Sequence, residues 1–249
     1  MVNDIKTQSQ AIFIKGVDVI LPPRCPVSGD IVDAQGMISP ASWQDIDFIA
    51  DPICGSCGIP LSFEVGDNGK CMACFDNPPT YSSSRSALQY NDASRNLILG
   101  FKHGDKAHVV NSFIPWMVRA GQDMIAEGDY IIPVPLHYRR LVARRYNQSA
   151  LIAEYLSMLV DILHLPLAMK RVRSTPSQGH LSQDDRRKNV SKAFDVTAQY
   201  RDKIKGKIII LVDDVYTTGA TVNECARILL YYGAAKVHVL TLARVINER

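Results

Sequence analysis

The chain has 249 residues, 47% apolar and 21% charged, with a formal net charge of +3, the balance of an ordinary soluble globular protein with room for one large domain or a medium one plus a small one. No apolar run approaches the roughly 18–20 residues that cross a bilayer. The stretch "AIFIKGVDVIL" is broken by Lys15 and Asp18 and precedes no small-residue cleavage site, so a signal peptide is not expected and a cytoplasmic location is. The charge divides unevenly. Residues 1–80 hold four Lys/Arg against ten Asp/Glu, and residues 81–249 hold 24 against 15. A basic second part suggests a partner carrying phosphates, small or polymeric.

Residues 1–80 are rich in Pro, Gly and Cys, show little regular periodicity, and display no internal repeat. Four of the six cysteines form C-x2-C-x13-C-x2-C, as Cys54, Cys57, Cys71 and Cys74. Two thiolates on a tight knuckle approach a metal from one side and a second knuckle completes a tetrahedron, which predicts a closed, structural zinc ribbon over about 54–74. "CPVS" resembles a knuckle with Ser28 in place of its second thiol, and "GMISPASW" offers no further cysteine pair. Cys25 is therefore expected to bind no metal. "DNPPTYSSSRS" (76–86) reads as a connector, and it separates an N-terminal region, 1–80, from a second domain, 81–249.

Beyond the connector the pattern alternates. "ALQYNDASRNLILGFKHG" predicts a short strand and a helix, and "VVNSFIPWMVRAGQDMI" a helix whose start Pro115 limits. "YIIPVPLH" is a short strand entering a Pro-punctuated loop. "NQSALIAEYLSMLVDIL" places Ile152, Tyr155, Leu156, Leu159 and Leu163 on one helical face. "KIIILV" has the unbroken apolar run of a parallel strand buried on both faces. "TVNECARILLYYGA" places Val222, Cys225, Ala226 and Leu229 on one face, with Cys225 as a packed core thiol and Gly233 as the stop. "KVHVLTLARV" is the next strand. The order predicts an α/β fold with a doubly wound, mostly parallel sheet.

The chemistry concentrates in "IIILVDDVYTTGAT". A parallel strand delivers its C-terminal end to the edge where ligands of open α/β folds collect. Small residues let backbone N–H groups approach a ligand, and the helix N-terminus that follows favours an anion. Thr217, Thr218, Gly219, Ala220 and Thr221 form such a loop. Asp213 and Asp214 suit vicinal ribose hydroxyls and a magnesium ion, so the combination reads a sugar phosphate. Neither a Walker loop nor a dinucleotide glycine fingerprint is present.

"IIILVDDVYTTGAT" closely resembles the phosphoribosyl pyrophosphate (PRPP) signature of type I phosphoribosyltransferases. With "YNDASRNLILGFKHGD", "IIPVPLHYRRLVARRYNQSALIA" and "RVRSTPSQGHLSQDDRRKNVSKAF", the chain resembles the competence protein F (ComF) family over most of residues 54–249. The resemblance implies that Asp213 and Asp214 hold the ribose hydroxyls and are the candidate catalytic pair, and that Thr217–Thr221 hold the 5′-phosphate. It places Val134, Pro135, Leu136 and His137 where pyrophosphate is cradled. Segment 174–193 becomes a flexible loop whose Arg186, Arg187 and Lys188 neutralise departing pyrophosphate. The chain departs from the family in two places. Many members carry two further N-terminal CxxC pairs, of which only remnants stand around Cys25–Ser28. Purine-type enzymes often place an acid where Thr217 stands, which weakens a hypoxanthine-like activity.

"HYRRLVARRYNQS" interleaves Arg139, Arg140, Arg144 and Arg145 with Tyr138 and Tyr146. Guanidinium groups suit phosphates and rings stack on bases, so this is a candidate single-stranded DNA surface; contact with PRPP or solvent is the plainer alternative. His103 and His137 are read as structural unless a ligand reaches them. Two functions stay open. One is a PRPP-binding protein of DNA uptake and natural transformation, with single-stranded DNA and a DNA-uptake helicase as partners. The other is an active magnesium-dependent phosphoribosyltransferase with an unknown acceptor.

Overall fold

A computed structural model describes residues 22–62, 69–102, 109–136, 146–173 and 191–246. Its strands are β1 (Ser83–Gln89), β2 (Tyr130–Pro133), β3 (Met169–Arg171), β4 (Phe194–Val196), β5 (Ile208–Tyr216) and β6 (Lys236–Arg244). Its α-helices are α1 (Pro40–Trp43), α2 (Met72–Asp76), α3 (Asp92–Lys102), α4 (Val110–Ala120), α5 (Gln122–Glu127), α6 (Gln148–Val160), α7 (Arg201–Ile204) and α8 (Ala220–Tyr231). Four strands make a parallel sheet in the order β1-β6-β5-β2, while β3 and β4 form a separate antiparallel pair.

The apolar run of β5 has a direct cause. Ile210 and Val212 pack into a layer with Phe113 and Met117 of α4 and Ile152 and Leu156 of α6. Ile209 and Leu211 pack into a second layer with Val222, Cys225, Ala226 and Leu229 of α8. Successive side chains of a strand point to opposite faces, so a strand covered on both faces carries no polar alternation. Each fully buried Leu or Ile contributes about 1.5–3 kcal/mol relative to exposure, which fixes the helices against the sheet. The doubly wound, parallel reading holds, and Cys225 is a core thiol as expected.

Four local expectations need correction. The serine run read as part of a connector opens strand β1 at Ser83, with Ser84 and Ser86 buried. Helix α4 begins at Val110, five residues ahead of Pro115, so the proline lies inside it. Pro115 and Asn111, whose carbonyl loses its helical donor, are both exposed; water compensates there while Phe113, Ile114 and Met117 hold the buried face. The buried face of α6 is Gln148, Ser149, Ile152, Ala153 and Leu156. Leu159, in the last turn of the helix, is exposed, and so is Leu163, which no longer shares the helical face because the helix ends at Val160 and Asp161 turns left-handed at φ 54°. Strand β5 also runs through both aspartates to Tyr216, since β6 keeps pairing with it as far as Tyr216–Arg244.

The N-terminal region packs against the sheet. Ile49 N donates to Ala87 O at 3.0 Å, Gln89 N to Asp47 O at 2.8 Å and Ser84 N to Ser56 O at 2.7 Å. Cys25, Ile38 and Ile46 share the apolar layer of Phe113 and Ile152. Trp43, Phe48 and Trp116 of α4 form a ring cluster with centroids 5.2–5.8 Å apart. No helix among the described residues is long and apolar enough to cross a membrane.

Candidate functional site

The four sulfur atoms of Cys54, Cys57, Cys71 and Cys74 lie within 4.8 Å of one another. Zinc–sulfur bonds of about 2.3 Å in a tetrahedron require sulfur–sulfur edges of about 3.8 Å, and Cys57 and Cys71 stand at 3.8 Å. Backbone N–H groups of Cys57 and Cys71 reach Cys54 Sγ at 3.5 and 3.3 Å. These amides orient the sulfur and favour a thiolate. Burial pushes the Cys57 thiol up to about 11, and the nearby Arg244 guanidinium opposes that rise. A divalent cation offsets the cost of gathering these thiolates, and the donor set fits structural zinc.

The absence of an internal repeat, expected from sequence, is overturned. The segment around Cys25 reproduces the hydrogen bonds of the segment around Cys54. Cys25 N donates to Asp30 O at 2.7 Å and Cys54 N to Ile59 O at 2.8 Å; Gly29 N meets Cys25 O, and Gly58 N meets Cys54 O, both at 2.8 Å. Val32 N meets Pro23 O at 2.9 Å, as Leu61 N meets Pro52 O at 2.8 Å. Ser39 N then reaches Cys25 Sγ at 3.3 Å, the same contact and length as Cys71 N to Cys54 Sγ. Cys25, Ser28, Ser39 and Ser42 therefore occupy the positions of Cys54, Cys57, Cys71 and Cys74. "GMISPASW" supplies serines where a second pair of thiols belongs. Hydrogen bonds fill the centre: Ser39 Oγ to Ser42 Oγ at 2.9 Å, Ser28 Oγ to Ser39 Oγ at 3.4 Å and Cys25 Sγ to Ser42 Oγ at 3.5 Å.

The second constellation lies at the C-terminal end of β5. Asp213 and Asp214 are half-buried. Asp213 Oδ1 accepts from Ser149 Oγ at 2.8 Å and from Asp214 N at 3.0 Å, and Asp214 Oδ1 accepts from Val215 N at 2.8 Å. Gly219, with φ 75°, caps helix α8 and makes no side-chain cap hydrogen bond there; Ala220 N reaches Thr218 Oγ1 at 3.5 Å. Only glycine suits this position. The dihedral is left-handed, and an added Cβ would collide with the Tyr216 hydroxyl. Thr217 is exposed, while Thr218, Ala220 and Thr221 are half-buried.

Val134 and Pro135, both buried, and half-buried Leu136 follow β2, which pairs with β5 up to Pro133–Val212. The segment is thus beside the aspartates. Asn147 joins the pieces: its Nδ2 donates to Val134 O at 3.1 Å, and its Oδ1 accepts Ser149 N at 3.1 Å as the cap of α6. His137, Arg139, Arg140, Arg144, Arg145, Arg186, Arg187, Lys188, Tyr138 and His103 lie outside the described residues.

Sequence reasoning missed Asn147, Ser149, Tyr81, Tyr216 and Arg244. Asparagine before an apolar helical run is a cap signal, so "NQSALIA" contained a usable clue to Asn147. Arg244 had none, since an arginine ending a strand reads as solvated. It is instead buried. Its Nη1 donates to Cys57 O, its Nη2 lies 3.5 Å from Cys57 Sγ, and its guanidinium stands 4.2 Å from the Tyr216 ring centre.

Comparison with known proteins gives the class. A family model described as a double zinc ribbon domain matches residues 16–75, and one described as a phosphoribosyl transferase domain matches residues 153–249. The first match spans both halves of the repeat. Fold and matches together define a phosphoribosyltransferase-type α/β protein with an N-terminal zinc-ribbon region. Competence protein F of Haemophilus influenzae is 32% identical over 198 residues, covering 78% of this chain and 85% of the relative. DNA utilization protein YhgH of Escherichia coli (strain K12) is 30% identical over 199 residues, with 78% and 85% coverage. Competence protein ComFC of Bacillus subtilis is 29% identical over 204 residues, covering 79% of each chain. The chain belongs to the competence protein F family.

Proposed function

We propose that this chain is a cytoplasmic PRPP-binding protein acting in DNA uptake and natural transformation. The observation that supports it most is the Asp213–Asp214 pair at the end of a parallel strand, directly ahead of a helix that starts on a glycine. The 5′-phosphate takes the Thr217–Thr221 loop, where small residues and the α8 N-terminus favour an anion. The ribose hydroxyls and a magnesium ion take Asp213 and Asp214. Ser149 and two main-chain amides hold those carboxylates in place, so little ordering is left for binding to cost. Segment 134–137 takes pyrophosphate, with Arg186, Arg187 and Lys188 closing over it.

Residues 81–249 form the phosphoribosyltransferase-like domain in this reading, and residues 1–80 the ribbon region. Relatives named for competence and DNA utilization, with the basic balance of residues 81–249, support DNA as a partner; single-stranded DNA and a DNA-uptake helicase are the partners this reading assigns. Thr217 presents a hydroxyl where a nucleobase would call for a carboxylate, which favours binding over turnover.

Calorimetry with PRPP and magnesium tests the ligand. Hydrogen bonds to charged groups are worth about 1.5–3 kcal/mol each, so Asp213→Ala/Asp214→Ala should weaken binding on the order of 100-fold or more. No heat of binding to the wild type would overturn the reading. Oligonucleotide affinity should fall steeply with salt, and Arg144→Ala/Arg145→Ala should lower both affinity and salt slope. Affinity unchanged in both tests would remove DNA from the list of partners.

A further inference from the structure

Arg244 touches two sites at once. It ends β6, its side chain is buried, and among the described residues no carboxylate forms an ion pair with it. A buried guanidinium without a counter-charge is strongly destabilising. One end of it meets the ribbon: Nη1 donates to Cys57 O and Nη2 lies 3.5 Å from Cys57 Sγ, which becomes a counter-charge when that sulfur ligates the metal as a thiolate. Four thiolates around a divalent zinc leave a net negative centre, and hydrogen bonds to a ligand sulfur tune that centre from outside.

The face of the same guanidinium covers the Tyr216 ring at 4.2 Å. Tyr216 is the last residue of β5, and its hydroxyl pairs with Tyr81 OH at 2.8 Å. The ring occupies the space beneath Gly219, where a Cβ would strike its hydroxyl. Main-chain bonds tighten the same region. Val245 N donates to Tyr216 O at 2.9 Å, and Tyr90 N to Arg244 O at 2.7 Å. The path from Cys57 through Arg244 and Tyr216 to Gly219 is therefore a chain of direct contacts with no gap.

We propose that Arg244 is a positioning residue that makes the four-thiolate centre and the Thr217–Thr221 loop one energetic unit. The metal orders the loop, and an occupied loop helps retain the metal. In the coupled state the fork grips Cys57 and the guanidinium plane presses on Tyr216. When the metal leaves, Arg244 loses its counter-charge, Tyr216 is no longer held from above, and the loop beneath Gly219 loosens. Lysine carries the charge but cannot bond Cys57 twice while stacking its plane on a ring. The second half of the statement rests on PRPP as the loop's ligand; the first half does not.

Two measurements separate these halves. Hydrogen exchange of residues 217–221, with and without zinc, needs no PRPP. Chelation should speed exchange there several-fold in the wild type, and in Arg244→Lys the loop should exchange fast whether or not zinc is bound. A wild-type loop that keeps its protection while residues 54–60 lose theirs would overturn the proposal. Zinc transfer to a chromogenic chelator is then timed with and without PRPP and magnesium. Coupling free energies of ordinary size correspond to roughly 5–150-fold, so PRPP should slow transfer about fivefold or more in the wild type and not in Arg244→Lys. Transfer unchanged by PRPP, with calorimetry showing PRPP bound, would overturn the reciprocal half. An absence of PRPP binding removes the functional reading and leaves the exchange result standing. Should Arg244→Lys fail to fold, Tyr216→Leu cuts the link from its other end, with the same expected exchange.

Discussion

Cys25 has become an acidic thiol. Burial opposes its ionisation, but hydrogen bonding with Ser28, Ser39 and Ser42 outweighs burial and lowers it to about 6. An ordinary cysteine titrates near about 8.5. A folded-state value below the unfolded one adds stability that is fully present above the unfolded value and disappears as pH falls through the folded one. The wild type should therefore gain stability relative to Cys25→Ala between about pH 6 and pH 8.5, read as a widening gap in denaturation midpoint. A gap that stays constant would mean the thiol remains neutral throughout. The cavity left by alanine is the same at every pH and does not contribute to the slope. At this scale the sequence was legible where a residue type has one economical use. Four cysteines in paired spacing are such a case. Arg244 and Ser149 were not legible, because the partners that give them meaning stand 187 and 64 residues away.

The ribbon repeat is an element-scale finding, and it shows how a knuckle keeps its form with serines in place of thiols. From Cys25 to Cys54 the turn recurs with the same main-chain hydrogen bonds, and a short helix starts inside each second pair, α1 capped by Ser39 and holding Ser42, α2 capped by Cys71 and holding Cys74. The two elements draw stability from different sources. The thiolate knuckle packs mainly on itself, with Ile59 and Leu61 against its cysteines. The serine knuckle belongs to the apolar layer of Phe113 and Ile152, so burial holds it. Its backbone already has ribbon geometry, so Ser28→Cys/Ser39→Cys/Ser42→Cys should raise bound zinc from one to two per chain. Metal analysis of the purified protein checks this, and a count that stays at one would refute the equivalence. Serine in place of cysteine left only the Cys25–Ser28 remnant visible and hid its partner pair Ser39 and Ser42, since spacing without thiols is not a motif. The face of α6 was misread for a related reason. Periodicity continued to Leu163, while Asp161 had already ended the helix, and Leu159 in its last turn is exposed. Side-chain pattern does not reveal where a backbone turns.

At the scale of the whole molecule, the doubly wound sheet was the most legible feature, because a strand covered on both faces must be apolar throughout. The way the N-terminal region sits on that sheet was not, since it depends on main-chain bonds that carry no sequence signature. Those bonds have a consequence for solubility. β1 pairs with β6 on one side only. On its other side a flat strand would offer open N–H and C=O groups, a template on which further chains stack and aggregate. Here Asp47, Ile49 and Ser56 occupy that row, bonded to Gln89, Ala87 and Ser84. Gly58 sits so close to Ser84 O that a Cβ would not fit. A chain lacking residues 1–80 should consequently self-associate as its concentration rises, seen as growing light scattering, where the full chain does not; a truncated chain that stays monomeric would show the row is harmless. The ribbon region then serves as a built-in guard, shielding its own protein's sheet from its neighbours.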